Sequence, residues 1–117
     1  MKIIEVGARR GPLAAMAQLL GAARKPTGPV LELPQVTFVL PRTSLDGAQL
    51  AKYRAVCGFT PQQGVPLIYP QLLTFPLMLQ FMASEYCPWP AMGTVHLSNW
   101  IEQREALLVG DELRVEM

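Results

Sequence analysis

Between Pro70 and Tyr86 the chain places large apolar side chains on every side of any helix it can form. Leu72, Leu73, Phe75, Leu77, Met78, Leu79, Phe81 and Met82 leave it no polar face. A helix that is apolar all round belongs in the interior, so the segment is predicted to be a buried helix. Pro76 lies inside it. Either the helix begins near Thr74, with Pro76 in its first turn, or it begins near Pro70 and kinks. In the second case the carbonyl of Leu72 loses its usual donor. Cys87-Pro88-Trp89-Pro90 forbids further helix.

Something must cover that helix, and the flanking patterns suggest what. Val36 to Leu40 alternates as a strand, with Val36, Phe38 and Leu40 on one face and Pro41 closing it. Thr94 to Leu107 reads as one long strand. Val95, Leu97 and Ile101 share a face with Asn99 and Gln103; Thr94, His96, Ser98, Trp100, Glu102 and Arg104 share the other. After a turn at Gly110-Asp111, Glu112 to Met117 alternates again, with Leu113, Val115 and Met117 inward.

Two further helices are expected. One runs from Pro12 to Arg24, with Leu13, Met16, Ala17 and Leu20 on one face and Arg24 and Lys25 at its carboxyl end. The other runs from Gly47 to Val56. Asp46 caps it, Gly58 ends it, and Leu50, Ala51 and Tyr53 point to the core. Lys2 to Val6 is too short to assign. The order implies an α+β fold of hot-dog type, an antiparallel sheet wrapped around a central buried helix. Residues 1–117 are read as a single domain, with 1–34 an amino-terminal helix and loop and 35–117 the core.

Composition narrows the partners. The net charge of +1 suggests no nucleic-acid partner. Ala55 to Ser84 is uncharged, but Pro61, Pro66, Pro70 and Pro76 interrupt it, as do Gln62, Gln63 and Gly64. That is no spanning helix, and no membrane partner is expected. Arg9-Arg10 before Leu13 to Met16 imitates a twin-arginine export signal. The apolar run is short and broken by Gln18, so an amphipathic helix is the preferred reading. Cys57 and Cys87 match no metal-ligand spacing. A reduced, cytoplasmic protein without metal or cofactor is expected.

Three blocks carry a resemblance: Tyr53-Arg54-Ala55-Val56-Cys57-Gly58-Phe59, the run from Val65 to Leu77, and Gly93-Thr94-Val95-His96-Leu97-Ser98-Asn99-Trp100-Ile101. They resemble the amino-terminal hot-dog half of MaoC-like acyl dehydratases, the (R)-specific enoyl-CoA hydratase kind. Catalytic hot dogs of that family carry a tyrosine helix ending in glycine, then Asp-x-Asn-Pro-x-His, then Pro-x-x-His-Gly. Tyr53 and Gly58 match the first part. Phe59 stands where the catalytic aspartate would be, and the loop from Thr60 to Val65 is too short for Asn-Pro-x-His. Pro66-Leu67-Ile68-Tyr69-Pro70 matches the last segment, with Tyr69-Pro70 in place of His-Gly.

The resemblance therefore implies a non-catalytic half that binds an acyl thioester, on coenzyme A or a carrier protein, and pairs with a catalytic hot dog. Only three credible strands precede the end at Met117. This implies a sheet incomplete at the carboxyl end, a truncated product completed by a homodimer or heterodimer. The candidate substrate-binding residues are Tyr69, Leu72, Phe75, Leu79, His96 and Asn99; no residue is assigned a catalytic or metal-binding role. Each has a plainer reading. Tyr69 can be a packed aromatic. Leu72, Phe75, Leu79, Phe81 and Met82 can be core rather than an acyl tunnel. His96 can be a structural histidine beside Trp100. Asn99, on an apolar face, can tie the carbonyl freed by Pro76. Coenzyme A phosphates would need Arg42, Lys52 or Arg54. Two other functions stay open: a self-sufficient hydratase or thioesterase with a non-standard site, and an assembly domain without ligand.

Overall fold

Alternating apolar residues at Val36, Phe38 and Leu40 seed the central strand of a three-stranded sheet with the order β1-β2-β3. The structure, a computed structural model, describes residues 1–7, 12–22, 25–26, 28–30, 32–60 and 64–117. Arg9, Arg10, Arg24, Gln62 and Gln63 lie outside the described residues. The elements are β1 (Lys2–Glu5), α1 (Pro12–Ala22), β2 (Val36–Ser44), α2 (Gly47–Cys57), α3 (Tyr69–Ala83) and β3 (Glu112–Glu116).

The sheet is mixed rather than antiparallel. β2 pairs antiparallel with β3, but β1 pairs parallel with β2, Lys2 opposite Val36 and Glu5 opposite Val39. The crossover through α1 permits the parallel pairing. A segment too short to assign from its own residues is a strand because β2 supplies its hydrogen bonds. Pro41 does not close β2 either. The ladder to β3 steps from Leu40–Val115 to Thr43–Leu113, one extra residue on β2. Pro41 and Arg42 sit in that bulge, where a missing N–H removes no ladder bond.

α2 follows its sequence signals. The Asp46 carboxylate accepts from the Ala48 N–H at 2.9 Å. Gly58 adopts φ 77°, where a side chain would strain the backbone, and its N–H returns to the Arg54 carbonyl. Leu50 is fully buried and Tyr53 half-buried, but Ala51 faces solvent.

α3 begins at Tyr69, so Pro76 lies well inside it and the Leu72 carbonyl is without its helical donor. Its far end is closed by side chains. Ser84 Oγ donates to the Phe81 carbonyl at 2.7 Å, and Lys25 Nζ donates to the carbonyls of Met82, at 2.9 Å, and Ser84. Lys25 thus serves the carboxyl end of α3, not that of α1.

α3 packs on β2 and β3 and against α1. Tyr69, Leu73 and Leu77 join Val6, Phe38, Leu45, Leu50 and Val115 in the core. The helix is not enclosed, however: Leu72 is 48% and Phe75 47% exposed. Three strands cover one side of a helix that is apolar on all sides.

The missing cover is the long strand expected from Thr94 to Leu107. Residues 94–100 form no strand, and Leu97 is 91% exposed. Alternation makes a segment fit for a sheet, but the hydrogen bonds of a neighbour make it a strand. Met117, expected inward, is 39% exposed. The radius of gyration is 16.0 Å, against about 13 Å for a compact domain of this length.

These burials separate two leucines of α3 five residues apart, which therefore lie on different faces of the helix. Leu77→Ala is expected to cost about 3 kcal/mol, and Leu72→Ala under about 1 kcal/mol. Urea midpoints at unchanged slope measure both; equal losses would contradict the one-sided cover.

Candidate functional site

Past its bulge, β2 forms one wall of a cleft of about 530 Å³. The start of α2 and the first turns of α3 form the others. Val6, Leu40, Tyr69, Leu73 and Pro76 make its apolar floor, and Arg42, Thr43, Ser44, Asp46 and Gln49 its polar rim. A concave apolar surface edged by a few polar groups is the general form of a small-molecule site.

The floor is braced by aromatic contacts. Tyr69 meets Tyr53 edge-on with ring centroids 5.2 Å apart. Tyr53 in turn stacks on Phe59 at 6.0 Å and 19°. Phe59 N–H donates to the Arg54 carbonyl at 3.0 Å. Phe59 is thus committed to packing the end of α2. Burial, and then a hydrogen bond with the Cys57 thiol, push Tyr53 above the ordinary phenol range. Its hydroxyl stays protonated near neutrality.

The rim residues have structural duties. Asp46 caps α2. Arg42 pairs with Glu112 at 3.4 Å, but both are exposed, so the pair adds little stability. The other two candidates for phosphate lie off the cleft. Lys52 is exposed; Arg54 Nη2 donates to the Gly64 carbonyl, while its buried Nε has no hydrogen-bond partner among the described residues. General acid–base catalysis needs a group that exchanges protons near the working pH. Among the described residues, the ionisable groups of this cleft are Arg42, Asp46 and Tyr69, with neither histidine nor cysteine. Such a lining can hold an apolar chain and bond a polar group at its mouth.

Of the six residues singled out from sequence, Tyr69 alone lines this cleft. Leu72, Phe75 and Leu79 fall at i, i+3 and i+7 on another face of α3. His96 and Asn99 are exposed in the irregular segment, where His96 Nε2 lies 2.9 Å from the Ser98 carbonyl oxygen. Asn99 is therefore not the buried polar residue that its alternation implied. The rim from Arg42 to Gln49 carries no motif. Its one signal in the sequence is Pro41 followed closely by the cap residue Asp46, which marks a bulge running into a helix start. A larger groove of about 650 Å³ separates Leu67, Pro70, Gln71 and Thr74 from Ile101 to Leu107 and contains none of the six.

Over 86 residues, 74% of its length, the chain is 35% identical to the 3-hydroxyacyl-thioester dehydratase X of Mycobacterium tuberculosis (strain ATCC 25618 / H37Rv). It spans 31% of that protein's length. No family model and no solved structure matches the chain.

If Asp46 is a cap rather than an acid, its charge is dispensable. Asp46→Asn keeps a capping oxygen and should change stability by a few tenths of a kcal/mol, whereas Asp46→Ala should cost about 1 kcal/mol. Thermal unfolding of both variants decides; an equal loss in the two would assign the role to the charge.

Proposed function

We propose that this chain is an acyl-thioester-binding hot-dog unit of a MaoC-like dehydratase, non-catalytic by itself, which works beside a catalytic hot dog on another domain or subunit. The observation that carries the reading is the 35% identity, over 74% of the chain, to a protein whose name specifies dehydration of 3-hydroxyacyl thioesters. In this reading residues 1–117 act as one unit and α3 becomes the enclosed central helix once the partner is present.

The geometry supports each part. The cleft over Tyr69 and Leu73 has the apolar floor an acyl chain requires and a polar mouth for the thioester end. Hydration or dehydration needs a proton-transfer pair and donors for the thioester oxygen. Phe59 and Asp46 are committed to packing and capping at the positions where such groups would be sought. The partner is called for by unsatisfied surface: the outer stripe of α3 and a strand-patterned segment, residues 94–107, without a sheet neighbour. Both thiols are free, in keeping with a reducing cytoplasm.

A second reading, an assembly domain without ligand, draws on that same exposed face of α3. Calorimetric titration with dodecanoyl-CoA and with free coenzyme A separates the two. The acyl-binding unit is expected to bind the first saturably and the second at least tenfold more weakly. Ligand at about a hundred times its Kd should stabilise the fold by about 2.7 kcal/mol. Ser44→Trp, which fills the cleft from an exposed rim position, should abolish binding without lowering stability. Absence of binding, or equal binding of free coenzyme A, would favour assembly alone.

A further inference from the structure

The cleft leaves α1 unexplained, and α1 is built the wrong way round for a helix facing water. Ordinary surface helices turn their apolar stripe to the core and their polar residues outward. In α1 the polar residue, Gln18, is half-buried with Leu19, while Leu13 is 86%, Met16 57% and Leu20 59% exposed. Leu13, Met16 and Leu20 stand at i, i+3 and i+7 on one outer stripe, with Ala14 and Ala17 exposed beside them. The helix carries no charge of its own.

The surrounding charge is one-sided. Between Glu5 and Glu32 the chain has four cations, Arg9, Arg10, Arg24 and Lys25, and no carboxylate. The rest of the chain holds all nine acids and is net negative. Lys25 is occupied by the end of α3 and so fastens the segment to the body. The three arginines enter as charge in the sequence alone.

We infer that α1 docks this protein on the surface of an anionic lipid bilayer, lying in the plane of the headgroups with Leu13, Met16 and Leu20 turned into the acyl boundary. At 11 residues the helix is about 16 Å long, too short to span a bilayer core of about 30 Å. The expectation of no membrane partner rests on that failure to span; lying on a surface asks only for an apolar stripe and flanking basic charge. An anionic bilayer offers apolar boundary and negative headgroups together, and each basic residue near it raises partitioning about fivefold. A second copy would bring the same cations face to face, which disfavours self-association through this helix.

The test is flotation of the full chain with vesicles of phosphatidylcholine alone and of phosphatidylcholine mixed with phosphatidylglycerol. Binding is expected to the mixed vesicles, to weaken as salt is raised, and to be at least tenfold lower on phosphatidylcholine. Leu13→Glu with Leu20→Glu should lower the partition coefficient by on the order of tenfold or more. Should that variant lose its helical circular dichroism, Leu13→Trp decides in its place and should bind more tightly. No flotation, equal flotation on both vesicles, or exposed-stripe variants that float unchanged would overturn the inference. So would a stripe variant that alters the mass in light scattering while floating as before, because the face would then belong to a protein interface.

Discussion

A helix apolar on every side, set against a sheet that covers one of them, governs this structure. Tyr69, Leu73 and Leu77 hold α3 to β2 and β3 and to the rest of the core. The opposite stripe, Leu72 and Phe75 with Leu79 beside them, has no equivalent cover. Burying one large side chain is worth about 2 kcal/mol, so the uncovered stripe represents a strong drive toward a partner. The cleft, the unpaired segment 94–107 and the open shape all follow from a cover that stops halfway.

The same imbalance separates binding from chemistry. Aromatic contacts through Tyr69, Tyr53 and Phe59 stiffen the floor of the cleft and commit Phe59 to packing. Asp46, the one carboxylate on the cleft, closes a helix end. What remains is shape and apolar surface. In the function proposed above, such a unit would contribute affinity and orientation to a reaction whose proton transfers occur on a neighbour.

Local chemistry was legible in the sequence wherever local bonds decide the structure. Asp46 and Gly58 mark the ends of α2 because a side-chain oxygen and a left-handed glycine satisfy the end groups there. The alternation about Phe38 located β2. Features that depend on remote partners were not legible. β1 exists through β2, the bulge at Pro41 exists through β3, and Thr94 to Leu107 is unpaired although its alternation is the longest in the chain. The candidate site divided along the same line. Tyr69 lies on the cleft, His96 and Asn99 followed the strand that does not form, and the rim from Arg42 to Gln49 emerges only when β2 bends into α2.

The central claim is that the acyl chain lies in the cleft over Tyr69 and Leu73. Methyl-resolved NMR during titration with dodecanoyl-CoA tests it most directly. The account predicts saturable shifts at Val6, Leu40 and Leu73, with Leu72, Val95 and Leu97 unmoved. Shifts confined to Leu72, Leu79, Val95 and Leu97 would place the chain on the outer face of α3 and contradict it.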